Sequence, residues 1–451
     1  MHRVAERTFH RALYFGLQRL RRRPVGAQIR TLQRWETLDH AQFGALMRER
    51  LARMLRYAYE NVPLYSSPSW SERIDARTAT DLQSWPILER STVRSSSHQL
   101  LAKHRPPGRF YRRSSASTGD PLRVAWDPQG ASWGWANEYR VLQWHGLEPG
   151  ARTLLMWGSG RPVDCWVKNY RLFATKELDA KGLEAAAQYL LNERPDLCQG
   201  LPSALARLAV HVRAHHPNAP KTLVPFAKVG GEQVYPFQRE LISSALGARI
   251  IETYGCTEVG PIASECPAGS MHILCENVHV EICRDDQPVA EGEHGDIVVT
   301  SLSNRAMPLI RCKIGDRGAI RASGCPCGRP HPLLEGLIGR AADVFVAADG
   351  KPVHGSALAM PGDGAFTAAL GAKFEQTLFV QLDRRRWRVL VESEAGFDEA
   401  TAASLIAHVR KTFGQECEVE IERVPVVDRE PSGKFRYYRV PKSSSVGARV
   451  E

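Results

Sequence analysis

From about residue 150 to residue 253, short apolar runs alternate with amphipathic helical stretches. Thr153–Trp157 reads as a strand, Gly182–Glu193 as a helix, Leu197–Gly200 as a strand and Ser203–His215 as a helix. Phe226–Val229 leads into the turn Gly230-Gly231-Glu232, followed by a helix over Tyr235–Leu246 and a strand over Arg249–Thr253. Elements in this order bury their apolar faces by stacking helices on a sheet, which predicts a layered α/β domain. Val278–Cys283 and Gly295–Leu302 read as strands of a smaller sheet.

Both flanks differ from this middle. Beyond about residue 340, Phe374–Leu382 and Trp387–Glu392 read as strands, Asp398–Phe413 as a helix closed by Gly414, and Cys417–Val424 as a strand. This ββαβ unit predicts a small, mobile C-terminal α+β domain. Near the start, Asp39–Tyr59 is helical, with Phe43, Leu46, Met47, Leu51, Met54, Leu55 and Ala58 on one stripe. The expected organisation is a basic amphipathic segment over 1–35, a large α/β domain over 36–339 and a small lid domain over 340–451.

In that first segment Phe9, Leu13, Leu17 and Leu20 recur at helical spacing, while Arg3, Arg7 and Arg11 line another face and Arg21-Arg22-Arg23 follow. A helix packed on its own domain is the favoured reading; peripheral contact of residues 1–23 with an anionic membrane is the other. At 451 residues the chain has room for two or three domains, and a net charge of +11 suits anionic partners without choosing among them. The charge is spread out and no nucleic-acid recognition fold appears, so nucleic acid is not an expected partner. Ten dispersed cysteines fit reduced thiols in the cytoplasm, at most peripheral at the inner face of the membrane. No run approaches the ~20 apolar residues of a membrane span.

Several short motifs carry chemistry. Ser114-Ser115-Ala116-Ser117-Thr118-Gly119 packs hydroxyls and a glycine into a turn, which suits an anionic group held by N–H and O–H donors. Downstream come Gly230-Gly231-Glu232, Tyr254-Gly255-Cys256-Thr257-Glu258, Gly315-Asp316, Gly339-Arg340 and Pro431-Ser432-Gly433-Lys434. Each alone reads as a loop; their order is what informs. With Ala58-Tyr59-Glu60-Asn61-Val62-Pro63, Met307-Pro308-Leu309-Ile310-Arg311 and Cys325-Pro326-Cys327-Gly328-Arg329, they make the chain resemble the adenylate-forming superfamily over about residues 35–440. Its phenylacetate–coenzyme A ligase-like branch, with capsule-biosynthesis relatives, looks most similar.

That resemblance implies the adenylate-forming fold and ATP-dependent activation of a small carboxylic acid, then transfer of the acyl group to a thiol, coenzyme A above all. It implies that Ser114, Ser115, Ser117, Thr118 and Gly119 cradle the β- and γ-phosphates, with Gly231, Glu232, Tyr254 and Gly255 about the adenine. Thr257 would donate to the α-phosphate and Glu258 would hold Mg²⁺, a hard cation that prefers carboxylate oxygen. The paired acceptors of Asp316 suit the ribose hydroxyls, and Arg340 would reach ribose or phosphate. Lys434, a mobile point charge, would bridge the attacking carboxylate and the α-phosphate. For Glu258 a carboxylate at a helix N-terminus is the competing reading.

Cys266, His272, Cys325 and Cys327 supply three thiols and an imidazole, the set for a closed zinc site; the resemblance implies this Zn²⁺, with Cys275, His279 and His331 as substitutes. The aromatics from Trp126 to Trp144, with Trp157 and Trp166, read as core packing or as an acyl-pocket wall. Ala116, Asp120 and Ala342 depart from the family pattern. They motivate two further readings: transfer to an amine or hydroxyl, and a non-catalytic nucleotide-binding relative.

Overall fold

The computed structural model describes residues 2–71, 74–75, 77–114, 122–175, 178–322, 324–338, 344–354, 356–359, 376–392, 398–430, 434–435 and 437–439. Two compact units divide the chain: Met1–Arg152 with Arg161–Arg171 and Ile251–Leu337, and Thr153–Gly160 with Leu172–Ile250 and Ile338–Glu451.

In the first unit, strands follow the order Gln287–Pro288, Val278–Arg284, Gly295–Ser301, Cys312–Arg321, Leu333–Ile338, Met271–Ile273, Gly260–Glu265 and Arg249–Cys256. The core beneath them gathers Leu55, Val62, Tyr65, Trp85, Trp126, Val278, Val299 and Ile310. Helix His40–Asn61 enters through a capping box, Asp39 accepting from the Gln42 amide at 2.8 Å, and buries Phe43, Met54, Leu55 and Ala58. Apolar spacing therefore found this helix and its buried face.

The N-terminal helix corrects its expected stripe. Helix His2–Leu20 buries His10, Tyr14 and Gln18, whereas Phe9 and Leu20 are 55% and 83% exposed. It is anchored within its own unit by polar contacts, Arg152 to Glu6 at 2.6 Å and Arg21 to Asp164 at 2.8 Å, with Tyr14 packed edge-on against Tyr139. Most of the aromatic run lies on one helix, Pro128–Trp144, that periodicity did not find. Trp133 stacks on Trp35, and Trp144 packs edge-on against His272 and His331. Within this unit these rings are packing elements.

In the second unit Thr153–Trp157, Leu197–Gly200 and Phe226–Gly230 pair in parallel, joined through helices Ala180–Glu193 and Pro202–His215. Their near-continuous burial is what a sheet covered on both faces requires. Four further strands take the order Glu418–Val424, Arg386–Glu392, Gln376–Gln381, Tyr438–Arg439. Helix Glu399–Phe413 packs on them through Leu405, Val409 and Phe413, around Trp387 and Phe345. Asp398 caps its start and Gly414, at φ +127°, ends it. Among the described residues no helix is long and apolar enough to cross a membrane.

Candidate active site

The motif Tyr254-Gly255-Cys256-Thr257-Glu258 shapes one end of the first unit. Its strand runs on to Cys256 rather than stopping at Thr253, and Thr257-Glu258-Val259 is the turn into Gly260–Glu265. Pairing shifts register between Tyr254 and Gly255. A β-carbon on Gly255 would lie 2.6 Å from the Gly260 carbonyl oxygen, so only glycine lets the two backbones approach this closely. Glu258 therefore sits in a hairpin turn, which excludes the helix N-terminus as its setting.

Two residues of the nucleotide reading meet here. The Tyr254 hydroxyl donates to Asp316 Oδ2 at 2.7 Å across 62 positions of sequence. Asp316 lies on Cys312–Arg321 just after Gly315, whose φ of +89° turns the backbone where a side chain would strain it. Burial pushes the Tyr254 phenol well above its usual range, and the Asp316 charge adds to the shift. The phenol therefore stays a neutral donor, holding one carboxylate oxygen of Asp316.

Glu258 is 2% exposed and pairs with Arg90 at 2.8 Å. Arg90, at the start of helix Arg90–Ser95, also donates to the Ile314 carbonyl at 3.0 Å. A buried carboxylate needs a cation, and Arg90 supplies it here. Thr257 is half-buried beside it. Ser114 lies at the mouth of the hairpin formed by Phe110–Arg113 and Arg123–Trp126, its hydroxyl accepting from the Leu122 amide at 2.9 Å. Ser115, Ser117, Thr118 and Gly119, with Ala116 and Asp120, lie outside the described residues, as do Arg340 and Ala342.

The same unit gathers the metal-type residues. The ligand atoms of Cys266, His272, Cys325 and Cys327 all lie within 4.8 Å of one another. Cys266 Sγ and Cys325 Sγ are 3.6 Å apart, and Cys327 Sγ is 3.2 Å from His272 Nε2. A disulfide would bring sulfurs to ~2.05 Å, whereas bonds of ~2.3 Å to a tetrahedral zinc set them about 3.7 Å apart. The His272 Nδ1 contacts the His331 carbonyl oxygen at 3.1 Å, which fixes Nδ1–H and turns the Nε2 lone pair toward the thiols. Burial lowers His272 to about 4 and raises Cys266 to about 11. At Cys325 burial likewise pushes the thiol up, yet hydrogen bonds from the Ser270 side chain and the Cys327 backbone hold it below its ordinary value.

His331, a proposed substitute ligand, serves otherwise. Its Nε2 meets Glu276 Oε1 at 2.8 Å, and Arg140 grips the same carboxylate with both of its terminal nitrogens. Arg140 also donates to Asn137 at 2.7 Å. Glu276, Arg140 and His331 are each at most 1% exposed, so this network backs the carbonyl that orients His272. Cys275 and His279 stand outside the ligand cluster.

In the second unit Gly231 has a φ of +85°, and a β-carbon there would meet the Trp157 ring at 3.0 Å. Glu232 follows, and its carboxylate accepts from the Ser203 amide and hydroxyl, each at 3.1 Å, and from the Phe435 amide at 2.6 Å. Burial raises Glu232 above its ordinary value, against these donors and the charge of Arg429. Lys434 immediately precedes Phe435, and its own carbonyl accepts from the Glu430 amide at 2.9 Å. Arg207 and Glu392 pair at 2.9 Å, and the other Glu392 oxygen accepts from the Val427 amide. The Glu232 latch to Phe435 was not legible in sequence, since no local spacing links positions 203 apart.

No protein-family model matches the chain. The phenylacetate-coenzyme A ligase of Thermus thermophilus is 27% identical over 329 residues, covering 69% of this chain and 73% of that protein. The enzyme of the same name from Escherichia coli is 28% identical over 305 residues, 62% of this chain and 68% of that one. Among solved structures, 2-hydroxyisobutyryl-CoA ligase in its postadenylation state matches at a TM-score of 0.71 and 20% identity, covering 91% of this chain and 92% of that one. The fold is that of the adenylate-forming enzymes. Within that class the sequence is similar to the phenylacetate–coenzyme A ligases.

Proposed function

We propose that the chain activates a small carboxylic acid with ATP and passes the acyl group to coenzyme A. One observation carries this reading at the level of the site: Tyr254 and Asp316, assigned to one nucleotide from separate motifs, are hydrogen-bonded at 2.7 Å. The likeness in sequence and fold to CoA ligases supports it.

In the first half-reaction a carboxylate oxygen attacks the α-phosphorus and pyrophosphate leaves; in the second a thiolate attacks the acyl carbon and AMP leaves. Two anions must approach, so positioning and charge neutralisation dominate the catalytic task. Asp316, steadied by Tyr254, would take the ribose hydroxyls. Thr257 would donate to the α-phosphate, and the 114–119 loop would hold the outer phosphates. Because the Glu232 side chain is engaged with Ser203 and Phe435, the adenine contact would fall to Gly231 and backbone atoms of that turn. Lys434, on the 340–451 segment we read as the lid, would neutralise charge at the reacting centre.

Bound Mg²⁺ would supply charge neutralisation on the phosphates. Glu258 would hold it by exchanging Arg90, the cation that neutralises this buried carboxylate here. The set of three thiols and one imidazole fits structural Zn²⁺, which would staple the 324–328 segment to the end of Gly260–Glu265. We read the ten dispersed cysteines as reduced thiols in a cytoplasmic setting.

ATP–pyrophosphate exchange over a panel of carboxylic acids, phenylacetate included, tests the activity, and mass spectrometry with coenzyme A identifies the product. No exchange with any acid would overturn it. Tyr254→Phe removes a hydrogen bond to a charged group, worth about 1.5–3 kcal/mol. The expected result is a KM for ATP raised roughly tenfold or more; an unchanged KM would separate Asp316 from the nucleotide. Purified protein is expected to carry zinc, and Cys327→Ser to lose it and unfold at a lower temperature; wild-type protein isolated without zinc would end the structural-metal reading.

A further inference from the structure

A second convergence of metal-type ligands lies in the other unit, on two of its helices. Glu184 projects from Ala180–Glu193, His211 from Pro202–His215, and His216 is the residue capping the latter helix. Glu184 Oε2 is 2.8 Å from His211 Nε2 and 3.0 Å from His216 Nε2. The three ligand atoms lie within 4.8 Å of one another. The other carboxylate oxygen, Oε1, accepts from Gln188 Nε2 at 2.8 Å, which stops the carboxylate rotating and keeps Oε2 turned to the imidazoles. His211 is 9% exposed and stacks on His215 at 4.3 Å between ring centres, so its ring is held in place.

We propose that Glu184, His211 and His216 form a solvent-open site for a divalent transition-metal ion, zinc foremost. Two imidazoles and a carboxylate are the donors such ions prefer, with copper and nickel competing by intrinsic affinity. Ligand atoms about a tetrahedral zinc at ~2.0–2.1 Å stand about 3.4 Å apart, so the present contacts open by a few tenths of an ångström to admit the ion. The carbonyl end of Pro202–His215 carries partial negative charge and favours a cation at its cap. Three protein ligands leave a fourth position, and the Glu184 side chain is 41% exposed, giving water or a small solute access to it. The bound ion would clamp Ala180–Glu193 to the end of Pro202–His215. The site is independent of the cysteine cluster, which has no carboxylate and three thiols.

The test uses the full chain, stripped with a chelator under reducing conditions and titrated with Co²⁺ and then Zn²⁺ by calorimetry and absorption. Cobalt bound at the cysteine cluster gives a thiolate charge-transfer band; cobalt bound at Glu184, His211 and His216 gives none. The expected result is an equivalent that binds without that band, is absent in Glu184→Gln and in His216→Ala, and persists in Cys325→Ser. Glu184→Gln keeps the shape and a hydrogen-bonding oxygen, so it separates an ion site from a plain carboxylate–imidazole clamp. Gln188→Ala is expected to weaken that equivalent about tenfold or more. Absence of a band-free equivalent in the wild type, or one unchanged in both Glu184→Gln and His216→Ala, overturns the proposal.

Discussion

Lys434→Ala is expected to lower ATP–pyrophosphate exchange about a hundredfold or more, corresponding to the ~3 kcal/mol that one transition-state contact supplies. The segment's fastening includes backbone contacts that the substitution leaves in place. The Phe435 amide donates to Glu232 and the Lys434 carbonyl accepts from Glu430, and neither contact uses the lysine side chain. Lys434→Arg keeps the charge but replaces a compact ammonium with a broad planar group, so little activity should return. Exchange at the wild-type rate in Lys434→Ala would remove the lysine from the reacting centre.

Arg140→Met is expected to be the most destabilising single substitution considered. It leaves Glu276 fully buried without its main counter-charge, and breaking such a pair typically costs about 3–5 kcal/mol. Urea unfolding at neutral pH measures it, and a midpoint near wild type would show that the network contributes little. Replacing Glu276 with leucine in the same chain should recover part of the loss, since an apolar pair leaves no orphaned charge. The pH dependence has a definite sign. Burial alone would raise Glu276, but Arg140 and His331 hold it well below the carboxylate range. Its folded value thus lies under its unfolded value of about 4.3. The stabilisation is complete above that pH and fades as pH falls toward the folded value. Wild type should lose stability in that acidic interval, and Arg140→Met should show a much shallower dependence.

The ββαβ segment was legible because each signal was local. Asp398 caps its helix, Gly414 ends it, and apolar runs mark Gln376–Gln381 and Arg386–Glu392. Periodicity does not mark the helix over Pro128–Trp144, for the opposite reason. Trp133, Trp135, Tyr139 and Trp144 are spread around it, and buried Gly130, Ala131 and Ser132 leave no single stripe for periodicity to find. At the N-terminus Tyr14 and Gln18 are buried in place of Phe9 and Leu20, because long-range partners such as Tyr139 choose the face. Within the site, motif order marks Tyr254 and Asp316 but not the contact between them. Arg90 gave no signal at all. Its value comes from a buried carboxylate 168 positions away, and a lone arginine at a helix start looks like any solvated one.

The bond from the Phe435 amide to Glu232 ties the lysine-bearing segment to one acidic side chain. If the lid reading holds, release of that segment would cost the half-buried Glu232 carboxylate a charge-assisted partner, a loss of about 1.5–3 kcal/mol. Turnover would thus carry a built-in preference for the docked arrangement, and whatever solute next donates to Glu232 would decide how long the segment stays away.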